Sequence, residues 1–131
     1  LPGIPGTEEL LSLVYSLAAN SGRIGIQQVV NLLSTAPAKA FGLYPRKGAI
    51  RVGSDADLVL FNPDHAWTIT KETTHSASGY TPYEGMPVIG KPFMVYLRGR
   101  LIMGDGMYLG IPGNGQFVPQ KEVGRGKTIM H

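Results

Sequence analysis

The apolar positions in the N-terminal third of the chain recur at the spacing of helices. The opening segment LPGIPG is rich in proline and glycine, which resist helix and central strand, and it predicts a loop. Apolar residues at helical spacing then predict a helix over residues 8–19, with Thr7 as its N-cap. A second helix is expected over residues 26–33, and a third from a Thr35 cap through Phe41. Helices this short are marginal alone, so we expect them to dock on a surface outside this chain.

The next segment changes to the patterns of strands. GAIRV alternates, with Ile50 and Val52 on one side, and predicts a short strand. Within GSDADLVLFNP, the run DLVLF at residues 57–61 is continuously apolar and predicts a strand buried on both faces. AWTIT predicts another short strand, and PFMVYLRGRLIM predicts a hairpin that turns at Arg98 and Gly99.

Two aspartates stand directly in front of the apolar strand. Asp55 and Asp57 flank a turn, where a short carboxylate can accept backbone amides and fix the direction in which the strand begins. We therefore interpret both as structural rather than catalytic.

The chain divides into three parts and predicts an α+β fold. Residues 1–43 carry the loop and helices, and residues 44–106 carry the strands. Residues 107–131 show turn signals every few positions and little periodicity. Because such a tail cannot build a core of its own, we expect it to lie on another surface.

The composition argues against several classes of function. The net charge of +3 comes with scattered arginines, so no nucleic-acid partner is predicted. The chain has no cysteine, which excludes disulfides, thiolate catalysis and cysteine zinc sites, and favours a cytoplasmic protein. No apolar run reaches the roughly 18 residues that span a membrane, so no membrane partner is predicted either.

Residues that could carry chemistry are few. The three histidines form neither HxH nor H-E-x-x-H, so a metal site in this chain would need widely separated ligands. His75 lies in a polar segment, and we interpret it as a loop histidine hydrogen-bonded to backbone rather than a ligand. Ser76 and Ser78 are close to it, but the sequence fixes no carboxylate to complete a triad. The prediction is that the chain contains no catalytic residue and no metal ligand.

Several pieces of the sequence, in order, resemble the C-terminal segment of the cyclic amidohydrolases, the group of hydantoinase, dihydropyrimidinase, allantoinase and dihydroorotase. They are PAKAFGLYPRKG, GSDADLVLFNP, YTPYEG, YLRGRLI and PGNGQFVP. Each piece alone is weak, but their order and spacing hold over nearly the whole chain.

The resemblance implies an architecture. Residues 1–43 would be the last loop and terminal helices of a metal-bearing (β/α)8 barrel, whose N-terminal portion is missing here. Residues 44–106 would supply most of a small composite β-sandwich that both ends of the longer chain build together. Residues 107–131 would form an extended tail over a neighbouring subunit, in a homo-oligomer that is a dimer or a tetramer.

The resemblance also implies a reaction. Members of this group hydrolyse a ring amide with a metal-activated hydroxide. Two divalent ions, usually zinc, are bridged by a carboxylated lysine and held by histidines, and an aspartate shuttles the proton. Those ligands belong to barrel strands that would precede Leu1, and no residue here matches them. The isolated chain is therefore predicted to be inactive and to bind no metal.

One functional segment is carried over from the resemblance. In hydantoinase-like enzymes a similar glycine-proline loop lines the substrate ring, and its backbone groups bond the cyclic amide. The matching residues are Pro2, Gly3, Ile4, Pro5 and Gly6, with Pro2 where many of those enzymes have asparagine. We predict a hydantoin- or dihydropyrimidine-like substrate. The alternatives are an allantoinase- or dihydroorotase-like enzyme, and a non-catalytic assembly module of the same fold.

Overall fold

A computed structural model describes residues 3–120, which form two helical segments followed by one antiparallel sheet. The first segment is α1 (Leu10–Val14), which continues as a π-helical turn, Tyr15–Ala19. The second contains α2 (Ile26–Val30), a π-helical turn (Asn31–Thr35) and α3 (Ala36–Ala40). No helix among these residues has the length and apolar composition to cross a membrane.

The first helix starts later than the sequence predicts. Residues 7–9 form a turn, and α1 begins at Leu10 with Glu9 at the N-cap and no side-chain cap hydrogen bond. The prediction of Thr7 as the cap is therefore wrong. The carboxylates of Glu8 and Glu9, which follow Thr7, contact distant segments of the chain instead.

The second and third predicted helices are one continuous helical segment. The backbone of Thr35 is helical, and its hydroxyl donates to the carbonyl of Gly48 at 2.8 Å rather than capping a helix. Pro37 has no N–H to donate to the preceding turn, and it lies in the first turn of α3, where proline is tolerated. The separate Thr35-capped helix is therefore a wrong prediction.

The sheet has four antiparallel strands in the order of the chain. They are β1 (Leu58–Thr68), β2 (Pro87–Leu97), β3 (Arg100–Gly104) and β4 (Met107–Tyr108). β4 belongs to the segment predicted as an unpatterned tail, so that tail begins inside the sheet. The following residues stay beside it, because the Leu109 N–H donates to Ile102 O at 2.8 Å and Arg98 binds the Asn114 carbonyl. Residues 121–131 lie outside the described part of the chain.

The strands predicted at DLVLF and AWTIT are a single strand, β1. Its pairing with β2 is irregular between Asn62 and Ala66, which accommodates Pro63 within the strand. Burial on both faces is not observed, since Val59 is 50 % exposed and Leu60 36 % exposed. Within residues 3–120, no second layer of structure covers these side chains.

The segment GAIRV does not form a strand. Ile50 is 90 % exposed and Val52 fully exposed, and neither belongs to a ladder of the described sheet. An alternating pattern specifies a strand only where another strand is present to pair with it, and residues 3–120 provide none at this position.

The hairpin between β2 and β3 turns where the sequence predicts. Arg98 and Gly99 both have positive φ, 48° and 78°, which is the geometry of a two-residue turn that matches the twist of the flanking strands. The prediction is confirmed.

The first helical segment docks on the sheet within this chain. Leu13 on α1 joins Ile69 and Val88 in the buried apolar cluster, with Trp67, Tyr83 and Met86 packed around them. Further along the segment, the hydroxyl of Ser16 accepts the N–H of Ile89 at 3.0 Å. The expectation that all three helices dock only outside the chain is therefore wrong for the first of them.

Candidate functional site

The predicted substrate loop is described from Gly3 to Gly6, and Pro2 lies outside the described residues. Ile4 is 71 % exposed, so the tip of the loop is open to solvent within this chain. Gly6 lies against a side chain of the strand region, because a Cβ added there would sit 3.3 Å from Cε2 of Tyr83. The loop therefore has one exposed end and one end packed on the β part of the chain.

Glu8 holds the segment after this loop to a residue far along the chain. One oxygen, Oε2, accepts the backbone N–H of His75 at 2.8 Å, and the other, Oε1, lies 2.7 Å from the ring Nδ1 of the same residue. The opposite ring nitrogen, Nε2, lies 3.2 Å from the carbonyl oxygen of Gly106 in the turn before β4. His75 thus joins the start of α1 to the far edge of the sheet.

Both ring nitrogens of His75 face hydrogen-bond acceptors, which only the protonated ring can satisfy together. The hydrogen bond that the His75 ring donates to Glu8 raises the pKa of His75, and partial burial opposes it only in part. The sequence predicted backbone hydrogen bonding for this loop histidine, and the structure adds the pairing with Glu8.

Glu9 forms a second anchor beside the first. It is only 3 % exposed, and its carboxylate accepts the hydroxyl of Thr81 at 2.9 Å. The same hydroxyl oxygen accepts the N–H of Tyr83 at 3.3 Å, so the segment TPYEG is tied to the start of α1. No local sequence pattern identifies the partners of these two glutamates, which lie about seventy residues away.

A cleft of about 210 Å³ opens beside these anchors. Its lining includes Glu8, His75, Trp67 and Lys91. The ammonium of Lys91 lies 4.6 Å from the centre of the Trp67 ring, and the indole N–H donates to Gly90 O at 3.1 Å. The cleft therefore combines an apolar wall with charged groups of both signs.

The polar groups around His75 do not assemble a nucleophile. The hydroxyls of Ser76 and Ser78 lie 2.8 Å from each other, and that of Ser78 donates to Tyr80 O. The second nitrogen of His75 faces the Gly106 carbonyl rather than a hydroxyl. Residues 3–120 also contain no group of three or more His, Cys, Asp or Glu that could hold a metal ion. The arrangement can position a loop and bind polar groups.

The two aspartates in front of β1 are structural, as predicted. Asp55 pairs with Arg46 at 3.0 Å and with Lys47 at 2.8 Å, and its hydrogen bond from Lys47 lowers its pKa. Asp57 pairs with Lys47 and accepts the backbone N–H of Arg98 at 2.8 Å. The contacts of Asp55 thus stay within the loop that precedes β1, whereas Asp57 also ties that loop to the turn at Arg98.

Comparison with known proteins agrees with this fold. A family model described as the amidohydrolase family matches residues 8–102, which is well over half of the chain. The chain belongs to the amidohydrolase family. It carries a fragment of that fold, with a small antiparallel sheet and helices, and the family is generally metal-dependent.

Individual relatives are similar to this amidohydrolase chain over most of its length. A D-hydantoinase of Rhizobium radiobacter is 47 % identical over 115 residues, covering 88 % of this chain and 25 % of the relative. A dihydropyrimidinase of Rattus norvegicus is 37 % identical over 119 residues, 91 % of this chain and 23 % of the relative. A solved D-hydantoinase structure superimposes with a TM-score of 0.85 at 47 % identity, over 88 % of this chain and 25 % of that one. The chain thus spans about a quarter of the relatives that it matches.

Proposed function

We propose that this chain is the C-terminal part of a metal-dependent hydrolase that opens the ring amide of hydantoin- or dihydropyrimidine-like substrates. The observation that carries the proposal is the 47 % identity to a D-hydantoinase, which extends over 88 % of the chain. The relatives named above are hydantoinases and dihydropyrimidinases, which supports these two substrate classes over allantoin or dihydroorotate.

The loop Pro2–Gly6 is the proposed substrate-binding segment. A cyclic amide presents an N–H donor next to a C=O acceptor, and a peptide backbone presents the complementary pair. The exposed end of the described loop at Gly3 and Ile4 leaves such backbone groups accessible, while Gly6 is packed on Tyr83. Fixing one end of the loop reduces the entropy lost when a ring binds at the other end.

The proposed cofactor is a pair of divalent metal ions, zinc, held by a part of the protein that precedes this chain. Such ions would supply a hydroxide nucleophile at neutral pH and polarise the ring carbonyl. The residues described here do not form that site, and we assign none of them as metal ligand or catalytic group. Their proposed role is to line and orient the substrate.

The remaining architecture is proposed from the resemblance. Residues 1–43 are assigned to the end of the barrel, residues 44–106 to a composite β-sandwich, and residues 107–131 to an intersubunit tail of a dimer or tetramer. The exposed apolar residues of β1 and of GAIRV support the sandwich, because Val59 and Val52 need a covering layer. The proposed location is the cytoplasm, in keeping with the absence of cysteine.

Hydrolysis by the full-length protein tests this proposal. The purified protein should open hydantoin or dihydrouracil in a reaction that a chelator abolishes and added zinc restores. Allantoin and dihydroorotate are the controls for substrate class, and residues 1–131 expressed alone should show neither hydrolysis nor stoichiometric metal. Hydrolysis of allantoin or dihydroorotate instead would reassign the substrate. A full-length protein that binds no metal and opens no ring would indicate the non-catalytic module.

A further inference from the structure

We propose that Glu8 and His75 are positioning residues, which together hold the loop Gly3–Gly6 in place and release it as the ring of His75 loses a proton. This inference rests on the proposed function, because it assigns a role in catalysis only if that loop lines the substrate. The contacts themselves are independent of what the protein binds.

The geometry makes Glu8 a direct link between the loop and the sheet. Only Thr7 separates it from Gly6, so the position of its carboxylate restricts the last part of the loop. Both carboxylate oxygens are used by one partner, the backbone N–H and the ring of His75, at 2.8 and 2.7 Å. The link is therefore stiffer than a single surface ion pair, whose effect is usually small.

The far side of the ring gives the link its dependence on protonation. Nε2 of His75 lies 3.2 Å from the carbonyl oxygen of Gly106 while Nδ1 faces Glu8. A neutral imidazole has one N–H and can donate to only one of these oxygens. Loss of the proton therefore breaks one contact and removes the charge attraction at the other.

Charged side chains from three elements line the cleft beside the His75 ring. Glu8 and Glu9 lie at the start of α1, Glu72 in the 3-10 turn Lys71–Thr73, and Lys91 on β2, all along the same cleft. The hydrogen bond that the ring donates to Glu8 outweighs the repulsion from Lys91, so the pKa of His75 is raised.

The direction of the pH effect follows from that shift. A histidine whose pKa is raised on folding contributes stabilisation that is complete below its unfolded value of 6.5. The contribution is lost as the pH rises through the higher value in the folded protein. The clamp is therefore closed at pH 6, and it opens as the pH rises through the raised pKa of His75.

Steady-state kinetics of the full-length protein test the clamp through the split between KM and kcat. In His75→Gln and in Glu8→Gln, KM for hydantoin or dihydrouracil at pH 6 should rise about tenfold, since hydrogen bonds to a charged group are involved. We expect kcat to change far less. The wild-type advantage in KM should shrink as the pH is raised, because the wild-type clamp opens when His75 loses its proton while the variants have no such clamp.

Exchange of backbone amides for deuterium tests the same clamp without any activity. At pH 6, the peptide that contains residue 75, whose backbone N–H donates to Glu8, should exchange several-fold faster in both variants than in the wild type, after correction for intrinsic rates. His65→Gln and Asp64→Asn are the matched controls, since both side chains are exposed on the same sheet, and they should behave as wild type.

The outcomes separate the clamp from the proposed function. A wild-type protein that opens no ring, but whose variants exchange faster at residue 75, would retain the clamp and reject its role in hydrolysis. Unchanged exchange in both variants would overturn the clamp whatever the activity. Unchanged KM at pH 6 in an active protein would overturn the positioning role. If His75→Gln fails to fold, Glu8→Gln carries the same tests.

Discussion

The carboxylate of Asp57 accepts the backbone N–H of Arg98 at 2.8 Å, and so ties the start of β1 to the turn of the hairpin between β2 and β3. The same carboxylate pairs with Lys47 in the loop that follows α3. One short side chain thus joins three segments of the chain. This accounts for an aspartate directly before an apolar strand.

Substitution of Asp57 should separate these two contributions. Asp57→Asn keeps an oxygen for the Arg98 amide and loses only the charge, so we expect the free energy of unfolding to fall by less than about 1 kcal/mol. Asp57→Ala loses both contacts and should cost about 1–2 kcal/mol. Denaturation by urea measures both, with Asp64→Asn and Asp64→Ala as matched controls in an exposed position. Equal losses in the Asp57 pair would assign the whole effect to the ion pair.

Three glycine-to-alanine substitutions should lower the free energy of unfolding by different amounts, according to the backbone strain and the contacts of the added methyl group. Gly90 has φ of 96°, and an added Cβ would lie 2.5 Å from both the Phe61 and Tyr15 rings. Gly90→Ala should therefore lower the free energy of unfolding by about 3 kcal/mol or more. Gly99 has positive φ but only an ordinary 3.9 Å contact with Ala56, and about 1 kcal/mol is expected. Gly115 has neither feature and should change little. A Gly115→Ala variant as unstable as Gly90→Ala would contradict this ranking in a thermal-unfolding series.

The exposed apolar residues of β1 provide a test of the proposed composite sandwich. Val59 is 50 % exposed within this chain, whereas Ile69 is fully buried. Ile69→Ala should cost about 2–4 kcal/mol in any context. If residues outside this chain cover β1, Val59→Ala in the full-length protein should cost about 2 kcal/mol. A loss near zero at Val59, in the same urea series, would show that this face of β1 stays open.

A truncation after Asn114 should lower the oligomeric state of the full-length protein. The residues up to Asn114 are held to their own sheet, through the Arg98 contact and the Leu109 amide. Beyond them, Phe117 is 89 % exposed, and apolar side chains of this kind are usually covered by a second surface. Light scattering measures the assembly, and Phe117→Ser is the corresponding point variant.

The metal content serves as the control for that truncation. It should be unchanged, because none of the ligands proposed for the metal ions belongs to the tail. An unchanged assembly after removal of residues 115–131 would contradict the intersubunit role proposed for the tail.

The features that could be predicted from the sequence are those that a few neighbouring residues determine. Arg98 and Gly99 form the predicted turn because only those two positions need positive φ there. The structural role of Asp57 could be predicted from its place directly before an apolar strand, although its partner Arg98 lies 41 positions away. The cyclic-amidohydrolase resemblance could also be recognised from the sequence, because short motifs keep their order along the chain.

Other features depend on contacts between residues far apart, and only the tertiary structure decided them. Glu8 meets His75 across 67 positions, and Glu9 meets Thr81 across 72, so no local pattern identifies either pair. The exposure of Val59 likewise depends on which layers are present rather than on its neighbours in sequence. Local sequence thus determined the turns and the direction in which the strand begins, because backbone preference acts over a few residues. It also determined the family, because short motifs keep their order along the chain. Burial and the partners of charged groups were decided by the fold, because they depend on which distant segments it brings within contact distance.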